Sequence, residues 1–210
     1  MPTNLPENSQ VLFNANAILE RPHIAAAMMK VVSLCSEMDY RWAIVLAEIL
    51  EAEAGAGVAM YNAVDNQAAK GRLLKAAGEK RLDGHYRKML KTLIEEASRA
   101  SWLRNQIAHG QWGGMNGDVD GIVLGEGRWA STAIAGLLSH QHGIESLLGN
   151  KFQPPTLQRF TIMDFEADAR KIESLIVRQH DLTTAFKNYR RVIRNMVLDG
   201  TLDQVRQDDL

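Results

Sequence analysis

Residues 22–54 read PHIAAAMMKVVSLCSEMDYRWAIVLAEILEAEA, and the periodicity of this stretch decides the fold class. Stepping alternately by four and three, Ile24, Met28, Val31, Cys35, Met38, Trp42, Val45 and Ile49 are all apolar. That spacing marks one face of a helix. Pro22 suits a first helical turn, and Gly55 with Gly57 ends the run, so 22–54 is one long helix or two in line. Cys35 sits inside the stripe and reads as a packed core thiol, not a nucleophile.

Working outward, a second helix is expected from about 58 to 82, weakened by Gly71 and Gly78 and broken by Asp83-Gly84. A third runs from about 85 to 109. Its face is Tyr86, Leu90, Leu93, Ala97, Ala100, Arg104 and Ile107. The last helix has the clearest start. Thr161 and Asp164 have capping-box spacing, and Phe160 and Phe165 stand where a hydrophobic staple belongs. Its face then reads Phe165, Ala169, Ile172, Ile176, Gln179, Thr183, Phe186, Arg190, Ile193 and Val197, until Asp199-Gly200 stops it. Between 111 and 136 glycine becomes frequent. Ile122-Val123-Leu124 and Trp129 to Ile134 flank a Gly125-Glu126-Gly127 turn, which predicts a short hairpin. A brief helix near 140–148 follows, and Pro154-Pro155 mark a connection. The expected architecture is all-α, an elongated bundle of four or five main helices with a short β-hairpin insertion. One domain spans 20–197, with 111–150 as the insertion, 1–19 as an N-terminal extension and 198–210 as a polar tail.

The chain has 210 residues, 46% of them hydrophobic, and 24 basic against 25 acidic side chains. Such a balance excludes a strongly basic nucleic-acid-coating protein and an acidic solvating tail. A single cysteine excludes an internal disulfide and a thiolate zinc site. With no secretory signal in Met1 to Gln10 and no apolar run of membrane-spanning length, a cytoplasmic protein without a membrane partner is expected. The charge is uneven, however. Residues 66–110 hold ten basic and four acidic side chains, a basic island in a near-neutral chain. Such an island is either a solvated helix face paired with acidic neighbours or a surface that faces phosphate.

Arg104 stands in register with an apolar stripe, so it must snorkel, pair, or face something polar from outside. Asn105 and His109 are one helical turn apart, close enough for the amide to fix the imidazole. Arg104 and His109 are five apart, which on a straight helix is about 140° of rotation and about 7.5 Å of rise. They converge only if the helix loosens at Gly110 or a second copy closes the site across a two-fold axis. A purely structural account also exists. His109 suits a helix C-terminus, Gly110 is a common stop, and Arg104 pairs with Glu48 or Glu51 of the first long helix.

Arg104-Asn105-x-x-x-His109 resembles the signature of HEPN domains: arginine, usually a polar residue next, then histidine four to six residues after the arginine. The resemblance implies an all-α core of four or five helices, and a homodimer with the motif at its groove. It also implies a metal-independent endoribonuclease that needs no cofactor, of the kind found in toxin–antitoxin and other defence systems. On that resemblance His109 is the general base or positioner of the RNA 2′-hydroxyl, Arg104 the phosphate clamp, and Asn105 the group that orients substrate or histidine. An antitoxin or regulatory partner would be in keeping. The alternatives are a non-catalytic HEPN-like module that binds nucleotide or RNA or serves as a dimeric scaffold, and an interaction protein whose Arg104 is tied up in an internal ion pair.

Other motifs carry less. Asn116-Gly-Asp118-Val-Asp120-Gly121 imitates the start of a calcium loop, but its twelfth position is Gly127, so a turn is expected. His140-x-His142 would diverge on a helix. Gly71 to Lys80 lacks P-loop spacing. Trp102 and Trp112, which flank the motif, read as core or interface anchors before base-stacking platforms.

Overall fold

The computed structural model describes residues 2–6, 9–14, 16–125 and 157–198. In chain order the elements are strands β1 (Thr3–Asn4) and β2 (Leu12–Phe13), helices α1 (Asn16–Leu19), α2 (Pro22–Leu50), α3 (Ala54–Asn62), α4 (Gln67–Arg81) and α5 (Gly84–His109), strands β3 (Gln111–Gly114), β4 (Gly121–Gly125) and β5 (Gln158–Thr161), and helix α6 (Ile162–Leu198). The described chain is thus mostly helical, as the periodicity demands. It also carries an antiparallel five-stranded sheet, in the order β1-β5-β4-β3-β2. Two compact units divide the chain, Met1–Cys35 with Ala100–Lys171 and Ser36–Arg99 with Ile172–Leu210. No described helix is long and apolar enough to cross a membrane.

The first unit holds the sheet. The expected hairpin pairs Ile122-Val123-Leu124 with residues 129–134; instead β4 has β3 on one side and β5 on the other. Residues 129–134, the brief helix near 140–148, His140-x-His142 and the 198–210 tail, apart from Leu198, lie outside the described residues. Nor are residues 1–19 a mere extension, because β1 and β2 supply both edges of the sheet. Central β4 is buried along its whole length, and such a strand shows no polar–apolar alternation to betray its partners. Trp112, Phe160 and Phe165 form an aromatic cluster. The Trp112 ring meets Phe160 edge-on at 5.6 Å, and Phe160 stacks on Phe165 at 5.5 Å. That stack is the staple expected at the start of α6. Of the capping box beside it, the Asp164 half forms: the Thr161 amide donates to Asp164 Oδ2 at 2.9 Å, and the Thr161 hydroxyl donates to the same oxygen at 2.9 Å.

In the β3–β4 loop, Gly117 takes φ +79°, where a glycine costs nothing. The calcium-like Asp118 is spent on a bidentate pair with Arg159, whose Nε and Nη2 donate at 2.7 and 2.8 Å. Buried Arg21 holds the same loop, donating from Nη2 to the Asp118 carbonyl at 2.7 Å. Gly121 lets the pair pass, for a Cβ there would lie 2.3 Å from Asp118 Oδ2. The turn reading of this segment therefore fits, and its carboxylate has a structural partner.

The described residues of the second unit form helices and the short connections between them. All eight stripe positions of α2, four in each unit, are buried. Gly55 and Gly57 do not end α2, since both lie inside α3. The stop is Glu51, at φ 56°. Its amide reaches Glu48 O and the Ala52 amide reaches Ala47 O, the hydrogen-bond pair of a Schellman ending with Glu51 at the left-handed position. The single helix expected over 58–82 is two helices. Asn66 caps α4, accepting from the Ala69 amide at 2.8 Å. Gly57 and Gly78 serve close approach: a Cβ would meet Ala47 Cβ at 2.3 Å and Leu90 Cδ2 at 2.6 Å respectively.

One polar cluster ties α2, α3 and α4 together. Asp39 accepts from Tyr61 Oη at 2.9 Å, Gln67 Nε2 at 2.9 Å and Lys70 Nζ at 3.0 Å, while Lys70 Nζ stands 4.5 Å from the Tyr61 ring centroid. Burial pushes the Asp39 carboxyl up, but the hydrogen bonds from Gln67, Lys70 and Tyr61 outweigh it and hold the pKa below its ordinary value. Burial and the Asp39 charge push the Tyr61 phenol well above its own.

Candidate functional site

The candidate site is the last two turns of α5 and the residue that follows. At 100° per residue, buried Leu90, Leu93, Ile94 and Ala97 occupy an arc of about 100°. Arg104 lies within that arc. The buried position near it is instead Leu103, about 100° away from Arg104. Leu103 stands about 120° around the helix from Ala97, and Arg104, in phase with the upstream stripe, is exposed. Asn105 and His109 are exposed with it.

Glu48 is engaged by Lys187 and Arg190 of α6, which also explains why an arginine stands in the α6 stripe. Arg104 donates from Nη1 to Asn105 Oδ1 at 3.1 Å, and among the described residues it has no carboxylate partner. Asn105 thus orients the guanidinium rather than the imidazole. The other donors of the fork remain available to a ligand. One chain brings Arg104 and Asn105 together; it shows no hydrogen bond between either of them and His109.

His109 is the final residue of α5, and Gly110 fixes how the helix leaves it. The Gly110 amide still donates to Gln106 O at 2.7 Å, after which the chain enters β3 at Gln111. A Cβ on Gly110 would lie 2.4 Å from Gln106 O and 2.5 Å from Leu124 Cδ1 of β4. Only glycine lets the helix end sit this close to the central strand. The helix therefore does not loosen at Gly110, and the first of the two routes by which Arg104 and His109 could converge is closed. Trp112, just beyond, is a core residue, whereas Trp102 stays half-exposed on the helix.

The basic island resolves into two parts. Lys70 pairs with Asp39, and Lys75 approaches Glu95 at 3.7 Å. Arg87, Lys88 and Lys91 have no carboxylate partner among the described residues. Nor do three or more His, Cys, Asp or Glu side chains converge there in a way that could hold a metal. Sequence reasoning missed Arg21, Arg159 and the Asp39 cluster. Their partners lie 22 to 97 residues away in the chain, so no local spacing announces them.

Comparison with protein-family models, characterised proteins and solved structures gave no match for this chain.

Proposed function

We propose that the chain is a metal-independent endoribonuclease of HEPN type, acting as a homodimer whose groove joins Arg104 of one protomer with His109 of its partner. One observation carries this reading: Arg104 is exposed, held by Asn105 and unspent on any described carboxylate, at the end of a helix whose last residue is an exposed histidine. Imidazole readily accepts and returns a proton near neutrality. His109 would take the proton of a ribose 2′-hydroxyl as its oxygen bonds to the adjacent phosphorus. The bond from phosphorus to the 5′-oxygen then breaks, with that oxygen protonated from solvent. Cyclic phosphate and 5′-hydroxyl ends result. The Arg104 fork would stabilise the charge that grows on the phosphate oxygens. A toxin or phage-defence role, with an antitoxin or regulatory partner, is in keeping with such an activity.

The test is incubation of the purified chain with single-stranded RNA in excess chelator. Cleavage with cyclic phosphate ends is expected, reduced about 10²- to 10⁴-fold in His109→Ala. An inert parent, or a His109→Ala protein that cuts as fast as the parent, overturns the proposal. Binding without turnover is the second reading. It is favoured by one observation, that Asn105 is occupied with Arg104 and so leaves the His109 ring unoriented within a single chain.

A further inference from the structure

Within the second unit, Lys75, Glu79, Gly84, Arg87, Lys88, Leu90 and Lys91 line a recess of about 600 Å³ between α4 and the first turns of α5. The volume is that of a small-molecule site. Four cationic side chains and one carboxylate face it. Arg87 and Lys91 are four residues apart, and Lys88 and Lys91 three apart, so all three share one side of α5. Like charges at that spacing repel each other, and among the described residues no carboxylate relieves Arg87, Lys88 or Lys91. A concave surface whose cations outnumber its carboxylates four to one also concentrates the field and draws counter-ions. The helix start itself contributes nothing, because Asp83 already accepts from the His85 and Tyr86 amides.

We infer that this recess binds a ligand carrying two or more adjacent phosphate groups. Lys88, Lys91 and Arg87 would neutralise the phosphates from α5, and Lys75 would close on them from α4. Glu79 would accept from hydroxyl groups of the same ligand. Two sources offer this chemistry, a free polyphosphate or nucleoside polyphosphate and the backbone of a nucleic acid. The inference does not depend on Arg104 or His109.

The test is calorimetric titration of the full chain with tripolyphosphate and, separately, with a short 2′-O-methyl RNA, which its own 2′-oxygen cannot cut. Binding tighter than about 1 mM in about 0.1 M salt is expected for at least one of them, weakened tenfold or more by Lys88→Glu/Lys91→Glu. Saturation by tripolyphosphate at one per chain identifies the free polyphosphate source. Binding of the oligonucleotide alone identifies the nucleic-acid source, and its logarithmic salt slope should then fall by about 1.4 in the double variant. No binding of either below that concentration, or equal binding by the variant, overturns the inference. As a second readout, Lys88→Gln/Lys91→Gln should melt slightly above the parent and lose any ligand-induced rise in Tm. A rise that persists in it also overturns the inference.

Discussion

Gly110→Ala joins the fold to the proposed chemistry and can be worked through from distances. The added methyl would start 2.4 Å from Gln106 O and 2.5 Å from Leu124 Cδ1, whereas ordinary contact begins at 3.4 Å. Something must move by about 1 Å. Leu124 can rotate in part, but Gln106 O is helix backbone and is bound to the Gly110 amide. Overpacking of this kind costs about 1–3 kcal/mol. At this chain length that is a fall in Tm of about 3–9 °C. The displacement falls on the residue next to His109. Misplacing a reacting group by about 1 Å costs about 100-fold in rate. The assay is a melt followed by RNA cleavage at a temperature where both proteins are fully folded. Gly84→Ala is the control for stability. A Cβ there meets nothing within 4 Å, so that variant should melt at or above the parent. If Gly110→Ala melts with the parent, the close approach of helix and strand is not as described. If it is destabilised yet cuts RNA at the parental rate, His109 does not need the placement argued here.

Three further outcomes follow from the packing. Glu51→Gly should stabilise the chain by about 0.5–1 kcal/mol in urea unfolding, because a left-handed backbone penalises a side chain; a loss of stability would refute the Schellman assignment. Asp39→Ala should cost about 3 kcal/mol by the same measurement, since it strands the buried Tyr61 hydroxyl and the Lys70 charge; a change under about 1 kcal/mol would show that the cluster adds little. The hydrogen bond from Arg159 holds the Asp118 carboxyl below its ordinary value. Its contribution is therefore complete above the unfolded carboxylate pKa, near about 4, and is lost as pH falls through the lower folded value. Tm measured from about pH 6 to about pH 3 should fall more steeply in the parent than in Asp118→Asn, and parallel curves would contradict the pairing.

Much of the helical frame was legible because long amphipathic helices repeat their signal. The α2 stripe runs through eight positions, all of them buried. The start of α6 is legible for a different reason. Thr161, Asp164, Phe160 and Phe165 act on one another within six residues, and the structure forms the staple and the bond from the Thr161 amide to Asp164. What escaped is non-local. No rule of spacing tells Leu12–Phe13 that their partners are Gly113 and Gly114, a hundred residues on. Glycine is also a poor guide to the boundaries here. Gly55 and Gly57 are helical because Glu51 had already ended α2, and Gly57 is small so that α3 can reach Ala47.

The site shows the same division in a single residue. Helical phase put Arg104 on the apolar line of α5, and that much is correct. Phase alone could not say which way the neighbouring elements lie at the end of the helix. From Leu90 to Ala97 the line is buried; at Arg104 it is exposed, and the buried residue there is Leu103. An arginine in phase with a core, but beyond the place where that core covers the line, is not a buried charge in need of a partner. It is a cation that the chain carries into solvent beside Asn105. If the structural pairing with Glu48 held, removing that carboxylate would be expected to release Arg104; here Glu48 holds α2 to α6 through Lys187 and Arg190. Glu48→Gln should therefore destabilise the helical unit while leaving RNA binding through Arg104 intact. Tighter RNA binding in a folded Glu48→Gln protein, the mark of a released Arg104, would reinstate the structural role for Arg104 and remove the main support for the proposed activity.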